Sequence, residues 1–333
     1  MRSTYRRDPI VVACAADEAY TKPLAAMVQS VLSNLRPGRA LHLYVLEAGI
    51  PATTRALLTR TWESQGALVK WLAPRASAFA GVPLWGRMSV TTYFKLSIAD
   101  LLPAAVTRAI WLDCDLVVVG DLAQLWDTPL DGYHARAAQD EVVPFVSSPC
   151  GIAAYRQLGF EAHAKYFNAG VMLLDVERWR RDDVTHQVLE YLREYRDRVY
   201  FWDQEGLNVA LYGKWGELDA RWNLNASIPR AFSSARNGNG VLGTPRGSWI
   251  VHYAGNLKPW RFPSRSAVRR LFFDYLDQTP WAGWRPRASA WTRALDLYDM
   301  SPLRRTFYPM ERVAMRLVRA ASLRYAGAAS HDG

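Results

Sequence analysis

Short, nearly continuous apolar runs alternate along this chain with longer stretches in which apolar residues recur every three or four positions. The runs at residues 9–16, 40–46, 67–72 and 106–112 read as buried strands. The stretches at 22–34, 51–65 and 91–102 read as helices with one face turned to a core. Strand–helix alternation of this kind marks a mostly parallel sheet with helices on both faces. Further strands are expected at 135–139, 170–175 and 248–253, and further helices at 182–195 and 204–211. Residues 233–243, rich in Ser, Asn and Gly, read as a loop. No internal repeat occurs, and no GxxxxGK(S/T) phosphate loop.

In such sheets ligands bind beyond the carboxyl ends of the strands. Two acidic features fall there: Asp17 after the first strand, and Asp113-Cys114-Asp115 after the fourth. On an extended backbone residues i and i+2 point the same way, so the carboxylates of Asp113 and Asp115 can reach one point in space. Burying two carboxylates is costly unless a cation neutralises them. Hard oxygen ligands of this kind suit a divalent cation bound together with a phosphate. The pattern is short, and taken alone a solvated turn between strands explains it equally well. Asp17 likewise fits a helix N-cap.

Composition narrows the class. Half of the 333 residues are hydrophobic, enough for one large α/β domain with a C-terminal extension, or for two domains. Lys and Arg outnumber Asp and Glu by 41 to 31, and from Lys258 onward there are 14 basic against 6 acidic residues, so the last quarter carries most of the excess. Met310, Val313, Ala314, Leu317, Val318 and Ala321 fall on one helical stripe, with Arg312, Arg316 and Arg319 opposite. Such a basic amphipathic helix suits an anionic membrane interface, or a docked helix with its arginines in water. No nucleic-acid motif accompanies the charge, so no nucleic-acid partner is expected. Cys14, Cys114 and Cys150 lack paired spacing, which fits a reduced, cytosolic protein. Asp17 and Glu18 interrupt the first apolar run, so a cleaved signal is not expected, and no stretch is long and apolar enough to span a bilayer.

Four later segments add to the acidic pair: Tyr166-Phe167-Asn168-Ala169-Gly170-Val171-Met172-Leu173-Leu174-Asp175, Trp202-Asp203-Gln204-Glu205-Gly206-Leu207-Asn208, Arg221-Trp222-Asn223, and Val251-His252-Tyr253-Ala254-Gly255-Asn256-Leu257-Lys258-Pro259-Trp260. With Ala15-Ala16-Asp17-Glu18-Ala19-Tyr20 and Tyr93-Phe94-Lys95-Leu96, this ordered set resembles glycosyltransferase family 8 over most of the first 260 residues. The stretch Tyr275-Leu276-Asp277-Gln278-Thr279-Pro280-Trp281 is similar to the bacterial lipopolysaccharide branch of that family. The resemblance implies an α/β, Rossmann-like GT-A fold with a mostly parallel central sheet over residues 1–262, followed by a basic helical extension over 263–333. It implies retaining, metal-dependent transfer of galactose or glucose from a UDP-hexose to a hydroxyl of a glycan or glycolipid, such as lipopolysaccharide or another surface glycan. The expected place is the cytoplasmic face of the cell membrane, with the basic C-terminal helix on anionic lipid.

Carried onto this sequence, the resemblance makes Asp113, Asp115 and His252 the ligands of Mn²⁺, with Mg²⁺ as the alternative; a mixed oxygen–nitrogen set favours manganese. Lys258 would face the diphosphate with a fixed charge, and Gly255 would let the backbone come close. Ala15, Asp17, Tyr20 and Cys114 are expected on the substrate side, with Tyr20 stacked on uracil. Ala19 stands where members that transfer sugars often carry a polar residue. Lys95 stands where the family often has arginine, facing donor sugar or phosphate. Asp140, Asn168, Ala169, Asp203 and Gln204 would surround the donor hexose, with Gln204 and Asp203 as the catalytic candidates. An amide oxygen is a poor nucleophile, which favours front-face attack over a two-step route through Asp203. Two other readings compete. Leu112-Asp113-Cys114-Asp115-Leu116-Val117 also resembles the nucleophile strand of haloacid-dehalogenase-type phosphohydrolases, and the high pI fits a non-enzymatic membrane- or nucleic-acid-binding protein.

Overall fold

The structure, a computed structural model, describes residues 8–84, 89–227, 247–255, 258–262, 268–290 and 293. The amphipathic stripe at 310–321 and the loop at 233–243 lie outside the described residues. The chain divides into two compact units: Met1–Pro259 with Arg265–Trp284, and Trp260–Ser264 with Arg285–Gly333. All elements below belong to the first.

The strands are β1 (Ile10–Asp17), β2 (Leu41–Ala48), β3 (Ala67–Leu72), β4 (Arg108–Leu112), β5 (Leu116–Val118), β6 (Ala135–Gln139), β7 (Phe167–Asp175), β8 (Trp215–Glu217), β9 (Leu224–Asn225) and β10 (Ile250–His252). The helices are α1 (Thr21–Asn34), α2 (Ala52–Glu63), α3 (Ile98–Leu101), α4 (Leu122–Trp126), α5 (Val176–Arg181), α6 (Val184–Glu194), α7 (Trp202–Ala210) and α8 (Arg269–Leu276). The main sheet runs β3-β2-β1-β4-β7-β6-β8. β7 is antiparallel to both of its neighbours, and the other six strands share one direction. Alternate residues feed two cores. In β1, Val11 and Ala13 pack on one face and Ile10, Val12 and Cys14 on the other; in β4, Ala109 and Trp111 oppose Ile110 and Leu112. Burial on both faces is why these strands read as continuous apolar runs.

The expected strands and helices form at nearly the expected positions, β5, β8, β9, α4 and α8 are additional, and three further differences stand out. Residues 91–102 are not one α-helix but a 3₁₀ helix, Val90–Ser97, followed by α3. The β-branched run Val90-Thr91-Thr92 resists α-helix, and a turn of three residues stacks Thr92 directly below Lys95. β7 starts at Phe167, so Asn168 and Gly170 lie inside a strand. Finally, α5 precedes α6, and the break falls at Asp183, whose φ of 45° is left-handed.

A second sheet, β5-β10-β9, forms where the chain leaves the main sheet after β4. β5 pairs antiparallel with β10, with Leu116 opposite His252. Its other side is held by α1: the wholly buried Ser30 hydroxyl accepts from Val118 N at 2.8 Å, and Asn34 Nδ2 donates to Val118 O at 3.0 Å and to the Tyr275 hydroxyl of α8 at 2.8 Å. Ser30→Ala would strand a buried N–H. It is expected to cost about 1–3 kcal/mol, measured as a lower urea midpoint at unchanged m-value; an unaltered midpoint would mean that Val118 finds another acceptor.

Candidate active site

Asp113-Cys114-Asp115 occupies the bend between β4 and β5, not an extended strand. The two carboxylates therefore converge through the change of sheet, and β10 brings in the third group. Ligand atoms of Asp113, Asp115 and His252 all lie within 4.8 Å of one another. Asp113 N is anchored on Gly170 O at 2.8 Å, and its Oδ1 accepts from Trp111 Nε1 at 2.7 Å. His252 is buried, with Nε2 at 3.1 Å from Asp115 Oδ1 and Nδ1 at 2.9 Å from Asn223 Oδ1. Lys258, also buried, pairs with Asp115 Oδ2 and donates to Tyr253 O at 2.7 Å. Burial pushes the Asp115 carboxyl up, but Lys258 and His252 outweigh it and hold the group well below the usual carboxylate range.

A second charge cluster adjoins the first. Lys95 is 4 % exposed, so it is not a solvent-facing helix lysine. Its Nζ donates to Ala169 O at 3.2 Å and forms ion pairs with Asp203 Oδ2 at 2.7 Å and Asp113 Oδ1 at 3.3 Å. Burial would pull this lysine down; Asp113 and Asp203 together raise it instead and keep it charged. Thr92, one 3₁₀ turn earlier, donates to Asp203 Oδ1 at 2.9 Å. Burial pushes the Asp203 carboxyl up against the pull of Lys95.

On the far side of β7, Asp140 is saturated. Its Oδ1 accepts from Val142 N and Val143 N, both at 2.8 Å, and its Oδ2 from Asn168 Nδ2 at 2.8 Å and Gln204 Nε2 at 3.1 Å. Gln204 Oε1 accepts from Ala169 N at 3.1 Å. Asp140, Asn168, Ala169, Asp203 and Gln204 are thus brought together with the acidic pair. Asp17 does cap the following turn, accepting from Tyr20 N at 3.1 Å, and that turn carries Tyr20. Cys114 is buried, its thiol 3.0 Å from Ala15 O, which ties the end of β1 to the acidic bend. Gly255 has φ of 75°, a left-handed value that favours glycine.

The donor set fits a divalent cation: two carboxylates and an imidazole converge on one point. Space for His252 is made by Gly170. A Cβ there would overlap His252 Cε1 and come within 2.8 Å of Nδ1. Several contributing residues were not singled out by sequence reading. Asn208 brackets Phe167, accepting from its N at 2.8 Å and donating to its O at 2.9 Å. Glu205, fully buried, accepts from Tyr200 N and the Tyr191 hydroxyl, both at 2.7 Å, and so fixes the entry to α7. Thr92 and Asn223 complete the list. Their segments were conspicuous, but only tertiary contacts distinguish these side chains from their neighbours.

A doubly covered, mostly parallel sheet whose fourth strand ends in two carboxylates beside a buried imidazole and two buried lysines defines an α/β protein with its charged cluster at the strand ends. The chain belongs to glycosyltransferase family 8: the family model matches residues 11–263, and the protein is a glycosyltransferase. It is 29 % identical to General stress protein A of Bacillus subtilis over 287 residues, 83 % of this chain and 96 % of that protein. It is also 29 % identical to the lipopolysaccharide 1,2-glucosyltransferase of Escherichia coli K12 over 205 residues, 61 % of this chain and 58 % of that protein. Among solved structures, the galactosyltransferase LgtC in complex with donor and acceptor sugar analogues superposes with a TM-score of 0.70 at 26 % identity, covering 86 % of this chain and 99 % of LgtC. The phosphohydrolase reading finds no support, because the match runs through Asp113 and takes in the His252 segment as well. The non-enzymatic reading is set aside with it. No helix among the described residues is long and apolar enough to cross a membrane.

Gly170→Ala is expected to fold, since the added Cβ meets side-chain and not backbone atoms, but to displace His252. Mn²⁺ affinity, read by EPR titration of the free ion, should fall about 10-fold or more. Wild-type affinity in a normally folded variant would show that His252 is not a ligand.

Proposed function

We propose that the protein is a retaining hexosyltransferase that moves galactose or glucose from a UDP-hexose to a hydroxyl of a glycan or glycolipid, with lipopolysaccharide or another surface glycan as the acceptor. One observation carries this reading: Asp113, Asp115 and His252 meet within 4.8 Å at the strand ends, with Lys258 beside them. The named activities of the similar glucosyltransferase and of LgtC support the choice of a hexose and a glycan.

In this reading Asp113, Asp115 and His252 hold Mn²⁺, or in its place Mg²⁺, which when bound supplies Lewis-acid stabilisation to the departing diphosphate. Lys258 swings its charge from Asp115 toward the phosphates, and Gly255 leaves its turn free of a side chain there. Tyr20, presented by the turn that Asp17 caps, stacks on uracil; Ala15 and the backbone at Cys114 line the same side. Lys95 holds Asp113 and Asp203 in register beside the donor hexose. Asp140, Asn168 and Ala169 shape the sugar side, and Gln204 places its amide near the anomeric carbon.

The acceptor hydroxyl attacks on the face from which UDP departs, and the leaving phosphate oxygen takes its proton. The clamp on Asp203 supports this route over a covalent one: both of its oxygens are engaged, one by Thr92 and one by Lys95. Residues 1–262 form the transferase domain and 263–333 a basic extension. Its amphipathic segment would place the enzyme at the inner face of the cell membrane, through attraction to anionic lipid.

The full-length protein with Mn²⁺ is expected to release UDP from UDP-galactose or UDP-glucose. The first-formed sugar product should keep the donor's anomeric configuration by NMR. Asp115→Asn should lower the rate by about 100-fold or more. A full-length, Mn²⁺-supplemented protein that neither bound nor hydrolysed any UDP-hexose would overturn the reading.

A further inference from the structure

The Arg221-Trp222-Asn223 segment has a rigid mount. Asp219 caps the 3₁₀ turn Ala220–Asn223, accepting from Arg221 N at 2.9 Å. Trp222 lies against Trp249 with ring centroids 4.5 Å apart, and the Arg221 guanidinium covers the other ring at 4.0 Å. β9 follows at once and pairs parallel with β10, Asn225 opposite His252. What this mount delivers is the buried amide of Asn223, between Asn168 and His252.

The direction of every hydrogen bond in that region follows from two backbone amides. Gly170 N can only donate, so the Asn168 atom 3.0 Å away is its oxygen. Ala169 N likewise fixes the oxygen of Gln204. The amino groups of Asn168 and Gln204 then both face Asp140 Oδ2, which as a carboxylate oxygen accepts from each. Asn168 Oδ1 also lies 2.8 Å from Asn223, whose facing group must therefore be its amino group. Asn223 is thereby left with its oxygen toward His252 Nδ1, 2.9 Å away, and that nitrogen must carry a proton. Nε2, which faces Asp115, is the ring nitrogen left for a cation.

We propose that Asn223 is a positioning residue for this reaction. Its oxygen holds His252 with Nδ1 protonated and Nε2 toward Asp113 and Asp115, and its amino group ties that orientation through Asn168 to Asp140 and Gln204. The inference rests on the metal-dependent reading above. Outer partners of ligating histidines fix the ring and the tautomer in this way, and their loss weakens metal binding. The link also gives the sugar side a means of sensing the cation side: an amide that turns to suit one partner loses the other.

Two substitutions in the full-length protein separate the two halves of the role. Asn223→Leu removes both contacts, and Mn²⁺ affinity by EPR titration should fall about 10- to 100-fold. Asn223→Asp keeps an oxygen for His252 but sets a second one against Asn168 Oδ1. It should bind Mn²⁺ close to wild type, while kcat for UDP-hexose hydrolysis falls and the donor KM holds. Wild-type Mn²⁺ affinity in a normally melting Asn223→Leu would overturn the proposal. So would an Asn223→Asp that loses Mn²⁺ as severely as the leucine variant, and this arm remains decisive if Asn223→Leu does not fold. His252→Ala with undiminished Mn²⁺ affinity would instead sink the metal reading itself, and the role of Asn223 with it.

Discussion

Two buried lysines neutralise the acidic ends of the strands, and the site depends on how they divide that work. Lys95 takes Asp113 and Asp203; Lys258, with His252, takes Asp115. Buried charges are tolerated only when paired with good geometry, so removing either lysine would leave carboxylates facing one another across a few ångströms. The division also separates functions. The Lys95 cluster is tightly tied, the lysine engaging Ala169 O and two carboxylates, and both oxygens of Asp203 being engaged. In the proposed function the cluster around Asp115 would exchange Lys258 for a bound cation. A transferase that must bind and release a charged leaving group gains from one rigid cluster and one exchangeable one.

The fold supplies this arrangement by changing sheets. If β4 had run on straight, Asp113 and Asp115 would lie along one strand with no route to a histidine far along the chain. Because the chain bends there and β5 starts a second sheet, β10 can lie beside it and put His252 next to Asp115. The reversed strand β7 does the complementary service. Running against β4, it brings Asn168, Ala169 and Gly170 to the carboxyl ends of its neighbours. There its backbone holds Asp113 through Gly170 O, Lys95 through Ala169 O and Gln204 through Ala169 N. Gly170 has no side chain because the imidazole of His252 fills that space.

Family membership and geometry meet at this point. In the proposed function, glycosyl transfer from a nucleotide sugar asks for charge stabilisation at the diphosphate and for orientation at the anomeric carbon, and the residues proposed for the two demands lie on opposite sides of β7. The run of side-chain amides through Asn223, Asn168 and Gln204, with Asp140 as its acceptor, spans that strand. Since each link has a fixed donor and acceptor, the two sides are set together and not independently.

The strands were legible because burial on both faces leaves continuous apolar runs, and the acidic pair because two carboxylates beside such a run need a reason. The segments around Asn168, Gln204, Asn223 and His252 were legible through their order along the chain. The roles of Thr92, Glu205, Asn208 and Asn223 were not, and neither was the reversed direction of β7. Hydrophobic periodicity records which residues are buried, but it carries no sign for strand direction and no partner for a buried amide. The amino-acid sequence by itself determined the α/β layering and the chemistry available at the strand ends. Only the tertiary structure decided which donor meets which acceptor, because a hydrogen bond is directional and short while the residues that form it at this site are up to 143 positions apart.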